Sequence, residues 1–479
     1  MRRFGPLLLA PLLLALAGCF KLGPDYQKPE TTVPVAWRFP PSEAQDTANT
    51  RWWEQFGDPV LVRLIDEALK QNNDLRIATA AVDEYLGLYR ITRADLFPQI
   101  TGNASGAQTE TSGSAYAGTQ VVYEDIQAAL NLSWEIDVWG TLRRANEAAF
   151  ADMLAQDAVQ RGVVLTLASQ VAQTYIQLRT LDKNLEITQA VVKTLEEQLR
   201  IERIRFKEGY GSELEVRQVE SEYQRRLALI PAAEQSIAQT EHALKLLLGQ
   251  NPGAIRRGKS LDELKLPAVP AGLPSDLLIR RPDIQRAEQQ LIAANARIGV
   301  ARGQYFPRIG LTGDVGQLSA QAATLFTPGA NFWSVGTSVL GPIFTAGKIA
   351  GQVQAAEAAQ RAALAGYQQS ILSAFREFED ALVATQKTKE QRDQQAERVK
   401  AVGEYTRLSR LRYDEGLVDY ITVLDSLRQL YEAQIDLLQA QSATFTASIQ
   451  LYRAMGGGWI VAAEEQARVP RAGEAAVFP

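Results

Sequence analysis

The chain predicts an α+β protein built from two tandem copies of one unit, in which a pair of half-buried strands leads into a helix too long for a compact domain. Three observations carry this. Landmarks return in the same order a little over two hundred residues apart: Leu96-Phe97-Pro98-Gln99-Ile100 recurs as Tyr305-Phe306-Pro307-Arg308-Ile309, and Arg205-Phe206-Lys207-Glu208-Gly209 as Arg412-Tyr413-Asp414-Glu415-Gly416. Period-two alternation precedes each long helix. Two proline-free runs, Thr141 to Lys207 and Lys348 to Asp414, would each span about 100 Å as helix.

The chain opens with Arg2 and Arg3, an apolar run from Leu7 to Ala17, and Leu16-Ala17-Gly18-Cys19. This is the layout of a bacterial lipoprotein signal, and the apolar run is too short to span a bilayer as a helix. Cleavage before Cys19 would leave a lipidated amino-terminal residue; the plainer alternative is a secretory signal with an incidental cysteine. Cys19 is the sole cysteine, so no intrachain disulfide is possible. Phe20 stands where an inner-membrane retention signal would place Asp, so the outer membrane is the expected destination. Losing Arg2 and Arg3 with the signal takes the formal charge from −5 to −7, which argues against nucleic acid as a partner.

The resulting division is a signal peptide over 1–18, a lipidated irregular segment over 19–56, a first repeat over 57–250, a linker over 251–274, a second repeat over 275–455 and an irregular tail over 456–479. The three irregular segments, Phe20 to Gln55, Asn251 to Pro274 and Met455 to Pro479, are rich in Pro, Gly and mixed charge and are expected together as a belt around the helices.

The strand signal is clearest where Ile126, Ala128, Leu130, Leu132, Trp134, Ile136 and Val138 alternate with Gln127, Ala129, Asn131, Ser133, Glu135 and Asp137. In the second copy Ile309, Leu311, Gly313 and Val315, and then Trp333, Val335, Thr337 and Val339, define the apolar face. Membrane strands and a sandwich core both give this pattern. In the first long run a 3-4 spacing holds through Val164, Leu167, Val171, Thr174, Leu178, Leu181, Leu185, Thr188, Val192, Leu195, Leu199, Glu202 and Phe206, a coiled-coil seam. In the second, Gln386 to Glu397 is almost wholly polar, a face turned either to bulk water or to a lumen.

Gly209 and Gly416 can take the left-handed conformation that ends a helix. Ser212 with Glu215 spells a capping box for the first return helix, and Asp419 can cap the second from Tyr420. Pro231 should kink the first return helix, with no counterpart in the second. No nucleophile-and-base constellation appears: the sole histidine, His242, lies on a return helix, so neither catalysis nor a metal site is expected. No Gly-rich phosphate loop precedes a helix, so energy must come from another protein.

Several ordered motifs then carry a resemblance over essentially the whole mature chain. They are Trp52-Trp53-Glu54-Gln55-Phe56-Gly57-Asp58-Pro59, Gln71-Asn72-Asn73-Asp74-Leu75, the two Phe-Pro landmarks, Trp134-Glu135-Ile136-Asp137-Val138-Trp139-Gly140, Arg280-Arg281-Pro282-Asp283-Ile284, and Arg412 to Gly416 leading to Thr422-Val423-Leu424-Asp425-Ser426. Together they resemble the outer-membrane factor family, the TolC-like and OprM-like channels. The resemblance implies a homotrimer in which four strands per protomer close one twelve-stranded transmembrane β-barrel, continued by a long periplasmic α-helical coiled-coil barrel. It implies passive efflux of drugs or other small toxic solutes, with energy from an inner-membrane pump of the RND type through a periplasmic adaptor. It implies no cofactor beyond the lipid on Cys19 and outer-membrane lipid as surroundings. Asp425 becomes an inward gate carboxylate with Ile421 one turn earlier, and Arg412 and Tyr413 become latches. The tips at Gly209, Ser212, Gly416 and Asp419 become adaptor contacts. The alternatives are a type I protein-secretion duct and a lipid-anchored periplasmic coiled-coil adaptor; Asp425 would otherwise be an ordinary exposed coiled-coil carboxylate, and the tips simple chain reversals.

Overall fold

The computed structural model describes residues 21–31, 51–112, 120–269 and 274–456. The signal segment, Cys19 and the tail beyond 456 lie outside them. In chain order the helices are α1 (Pro59–Gln71), α2 (Asn73–Ala94), α3 (Thr141–Lys207), α4 (Glu213–Leu227), α5 (Leu229–Leu247), α6 (Pro274–Arg280), α7 (Pro282–Gly303), α8 (Lys348–Asp414) and α9 (Tyr420–Ala454). The strands are β1 (Gln99–Glu110), β2 (Val122–Ile136), β3 (Arg308–Ser319) and β4 (Asn331–Leu340). The order helix, two strands, long helix, return helix therefore occurs twice, and both long helices have the limits that the proline-free runs predict. No described helix is long and apolar enough to cross a membrane.

The chain divides into two compact units. The first takes Ala81–Asp157 and Arg286–Gln368 with the described part of Met1–Glu30. Its four strands form one antiparallel sheet in the order β1-β2-β3-β4, so the two repeats meet at the β2–β3 pair. Register sets Ile100 opposite Leu132, Leu132 opposite Gly313 and Gly313 opposite Val335, which gathers the apolar alternation of all four strands onto one face. That face is uncovered: Leu130 is 54%, Trp333 77% and Val335 70% exposed. A sandwich core would bury these side chains, so that alternative fails.

The corner from β2 into α3 has a local cause. The Asp137 carboxylate accepts the backbone N–H of Leu142 at 3.0 Å and of Arg143 at 2.9 Å, satisfying first-turn donors of α3. Trp134 Nε1 donates to the Leu96 carbonyl at 3.1 Å and Trp139 Nε1 to the Pro307 carbonyl at 2.8 Å. The Trp134–Gly140 motif and the two Phe-Pro landmarks are thus parts of one girdle beneath the sheet. Helices α3 and α7 pack through Ala148, Ala151, Ala293 and Ala296, small enough for close approach. The buried Arg144 donates to the carbonyls of Leu22 at 2.9 Å and Gly23 at 3.1 Å and pairs with Asp25 at 2.8 Å. It thereby straps down the segment that begins two residues after Cys19.

The second unit takes Ala158–Gln285, Gln369–Pro479 and Thr31–Ala80, so far as these are described. Trp52 and Trp53 are fully buried; Trp52 stacks on Tyr452 at 5.5 Å and Phe56 lies 5.9 Å from Phe445. The next motif residue, Asp58, caps α1 through Val60 N–H at 2.8 Å and accepts from the Tyr175 hydroxyl at 2.7 Å and Lys259 N–H at 3.0 Å. Gly258 must be glycine here, because a Cβ would stand 2.1 Å from the Asp58 carboxylate. Linker residue Arg257 pairs with Asp182 at 2.9 Å and also binds Glu241, and Ala268 N–H donates to Gln55 at 3.0 Å. The linker and Trp52–Gln55 thus lie against each other and against these helices, whereas residues 21–30 belong to the other unit, held there by Arg144.

The 3-4 seam of α3 is buried at Val164, Leu167, Val171, Leu178, Thr188, Val192, Leu195, Leu199 and Glu202. Two residues beyond α3 stands Gly209 and two beyond α8 stands Gly416, with φ of 82° and 74°. Tyr210 N–H returns to Arg205 O and Leu417 N–H to Arg412 O, both at 2.8 Å, the same left-handed closure in each copy. The first return helix is split between α4 and α5 at Ala228. Pro231 causes this by lacking the N–H that would bond Leu227 O and by crowding that carbonyl, so the break falls before the proline. Helix α9 runs unbroken.

Arg281 of the Arg-Arg-Pro-Asp motif is buried and binds Asp283 at 2.7 Å, Glu377 at 2.7 Å and the Ala454 carbonyl at 3.0 Å. Arg281→Leu should lower stability by about 3 kcal/mol, the low end for breaking a buried pair because both carboxylates keep partial solvent access. Thermal unfolding followed by circular dichroism checks this, and a melting temperature equal to the parent's would refute it.

Candidate functional site

The hairpin end of the second unit is where sequence-expected residues converge. Its small core packs Leu195 and Leu199 of α3, Val216 and Val219 of α4, Tyr413 of α8, and Tyr420, Val423 and Leu424 of α9. Tyr413 is buried, and its hydroxyl donates to both oxygens of Glu202 at 3.3 Å while accepting from Arg205 at 2.9 Å. The Arg205 guanidinium also lies 5.1 Å above the Tyr413 ring, and Tyr420 meets that ring edge-on at 5.3 Å. Glu202 is 1% exposed and takes a further bond from Gln198 at 2.6 Å. Burial, with the Glu202 charge second, pushes both phenols above their ordinary range, so both remain protonated, and Tyr413 is the one that donates. Tyr413 therefore ties the second long helix to the first within one chain.

A second knot joins the two return helices. Glu222 of α4 is 2% exposed and is met by Arg225 at 2.7 Å, Arg226 at 2.8 Å and Arg428 of α9 at 2.8 Å. Arg226 also lies 3.8 Å over the Tyr431 ring. Burial opposes the Glu222 charge, but the hydrogen bonds from Arg225, Arg428 and Arg226 outweigh it and hold the carboxyl below its usual range.

Asp425 and Ile421 occupy the other face of α9. Tyr420, Val423, Leu424 and Ser426 are buried, whereas Ile421 is 45% exposed and Asp425 is exposed with its carboxylate accepting from Gln429 at 2.7 Å. Ile421, Asp425 and Gln429 thus form one outward stripe at helical spacing. Arg412 is exposed, and its carbonyl, not its side chain, takes part in the tip closure.

The two tips differ. Ser212 makes the full capping box, accepting Leu214 N–H at 3.0 Å while its own N–H reaches Glu215 at 2.9 Å. Asp419 occupies the N-cap position of α9, but its side chain makes no capping bond and only its carbonyl accepts Thr422 N–H. The expected Asp419 cap is thus corrected, and its carboxylate stays exposed at the tip. The tips also carry apolar groups that sequence reasoning passed over: Tyr210 is 84%, Leu214 65% and Leu417 62% exposed. Glu202 was visible as a polar member of an apolar seam, whereas nothing local marked Glu222, whose partner Arg428 lies 206 residues away. Among the described residues no group of His, Cys, Asp and Glu is placed to hold a metal.

The sequence model of the outer membrane efflux protein family matches residues 64–250 and 273–457, one stretch in each repeat. The solvent efflux pump outer membrane protein SrpC of Pseudomonas putida is 39% identical over 460 residues, covering 94% of this chain and 97% of the relative. The cation efflux system protein CusC of Escherichia coli is 34% identical over 454 residues, covering 93% of this chain and 97% of the relative. The solved outer-membrane channel OprN superposes with a TM-score of 0.85 at 28% identity, covering 92% of this chain and all of the channel.

Two outcomes follow from the knots. Tyr413→Phe leaves Glu202 with fewer donors and should cost about 1–3 kcal/mol. Hydrogen exchange at the α3 and α8 tips should accelerate while the rest of the chain stays unchanged; an unchanged tip would contradict the clamp. Because the folded Glu222 pKa is depressed, its stabilisation is present above about pH 4.5, its ordinary value, and is lost as pH falls through the lower folded value. The melting-temperature gap between parent and Glu222→Gln should therefore be full at pH 7 and shrink below about pH 4.5. A gap independent of pH would refute the assignment.

Proposed function

The chain belongs to the outer membrane efflux protein family and is the outer-membrane channel component of an efflux system, and from that premise we propose how its parts divide the work. It sits in the outer membrane with a periplasmic helical extension. The family is one of transport channels, not of enzymes.

The observation that carries the mechanism is the single four-stranded sheet with a bare apolar face and two unpaired edges, β1 and β4. Four strands cannot close on themselves, and open edges are not tolerated in hydrocarbon. Three copies joined edge to edge close a twelve-stranded barrel, which makes the apolar face the lipid face and the other face the lumen. The lipid expected on Cys19 adds an anchor close in sequence to the segment that Arg144 straps down. Solute moves passively; an inner-membrane pump, of the RND type, supplies energy through a periplasmic adaptor.

At the hairpin end, three copies of the Ile421–Asp425 stripe face one another around the axis and form the gate, a carboxylate ring beside an apolar ring. Tyr413, through Glu202 and Arg205, sets the spacing of the long helices behind it, and Arg412 lies free to meet a neighbouring chain. The tips, with Gly209 and Gly416 reversing the chain and Ser212, Asp419, Tyr210 and Leu417 displayed, receive the adaptor's helical hairpin.

In planar bilayers Asp425→Ala should raise the resting conductance of the purified protein and reduce its cation preference. Equal conductance and equal selectivity would remove Asp425 from the gate. Cysteines at Ser212 or Asp419 should cross-link to the adaptor, and the absence of any adduct from either would overturn the contact.

A further inference from the structure

The sheet face opposite the apolar one carries a feature that the gate does not use. Register places Thr101 of β1 opposite Asn131 of β2, Asn131 opposite Asp314 of β3, and Asp314 opposite Ser334 of β4. Four polar residues therefore form one straight row across the whole sheet. From β2 to β4 the row is bonded, not merely aligned: Asn131 Nδ2 donates to one Asp314 oxygen, and Ser334 Oγ donates to the other at 2.7 Å. The carboxylate is half-buried between them and so is held at a fixed height on the sheet.

Asp314 is the only ionisable group in its own row and in the rows next to it on that face; the next acidic side chains there are Glu135, two rows away opposite Gly310, and Asp125, three rows away on the other side opposite Ala107. Its companions are Gln99, Thr101, Asn103 and Ser105 on β1, Gln127, Ala129 and Ser133 flanking Asn131 on β2, Gly310, Thr312 and Gly316 on β3, and Phe332, Gly336 and Ser338 around Ser334 on β4. The nearest basic residue on the face, Arg308 at the start of β3, is turned to Gln304 at 3.0 Å. The charge of Asp314 is thus solvated by neutral donors and cancelled by none.

We propose that Asp314 is a second selectivity determinant, a ring of three carboxylates on the lumenal wall of the barrel that favours cations and cationic solutes independently of the gate. The proposal rests on the trimeric channel reading. A twelve-stranded barrel is too wide for side chains to fill, so the ring acts through water and its reach is the Debye length, about 30 Å at 0.01 M salt and about 3 Å at 1 M. It biases which solutes enter the barrel and does not occlude it. Because both oxygens are held by Asn131 and Ser334, the ring cannot move out of the path by a rotamer change without losing two hydrogen bonds.

The test uses the full-length protein in planar bilayers, on the Asp425→Ala background so that the gate carboxylate does not dominate, with reversal potentials read across a potassium chloride gradient. Asp314→Asn, nearly isosteric, should lower the potassium-to-chloride permeability ratio about two-fold or more near 0.01 M salt, with the difference vanishing near 1 M. Asp314→Lys should move the ratio further toward chloride, and Asp314→Glu should restore the parent value. Pores whose ratio is the same in all four proteins at low salt would overturn the proposal and leave the channel reading standing. If the parent itself gives no pore, the channel reading falls and takes this proposal with it.

Discussion

A sheet edge in hydrocarbon leaves a row of N–H and C=O groups with no water to bond, at several kcal/mol for each group. This constraint organises the molecule. Antiparallel pairing satisfies the backbone everywhere between β1 and β4 and leaves only the two outer edges. On the proposed reading the apolar face meets lipid, the polar row through Asp314 meets water, and another copy closes each open edge.

Duplication supplies the parts, and their divergence supplies a direction. Both long helices end in the same left-handed glycine closure, so the two hairpins have one geometry at their turns. Beyond the turns they part. The first return helix is broken ahead of Pro231, capped by Ser212 and pinned by Glu222, whereas α9 is unbroken, lacks a side-chain cap and carries Asp425 where the first copy has Gln218. On the proposed reading the uncapped, uninterrupted return helix is the half that carries the gate, and the kinked, capped one is the half that braces it.

Much of this was legible in the residues. The long helices are marked by the absence of proline, and their ends by Gly209 and Gly416. Alternation marks β2 and, more noisily, β3 and β4, and it sets Asn131, Asp314 and Ser334 on the polar side; it assigns no face to the side chains of β1. What stayed hidden was pairing at a distance. Asp58 meets Tyr175 across 117 residues, and Glu222 meets Arg428 across 206; each residue alone looks like a helix cap or a solvated charge. Asp419 shows the converse error, since the residue type favours capping but the side chain makes no such bond. Tyr413, expected as a latch by resemblance, makes its described bonds to Glu202 and Arg205 of its own chain, a distinction that no motif could draw.

The central claim is that the two open edges are closed by two further copies of the same chain. The most direct measurement is the chain number of the conducting particle, obtained by native mass spectrometry of protein extracted from membranes and shown to conduct in bilayers. Edge closure with four strands per chain predicts three chains. A conducting monomer or dimer, or any assembly whose strands do not complete one ring, would contradict it.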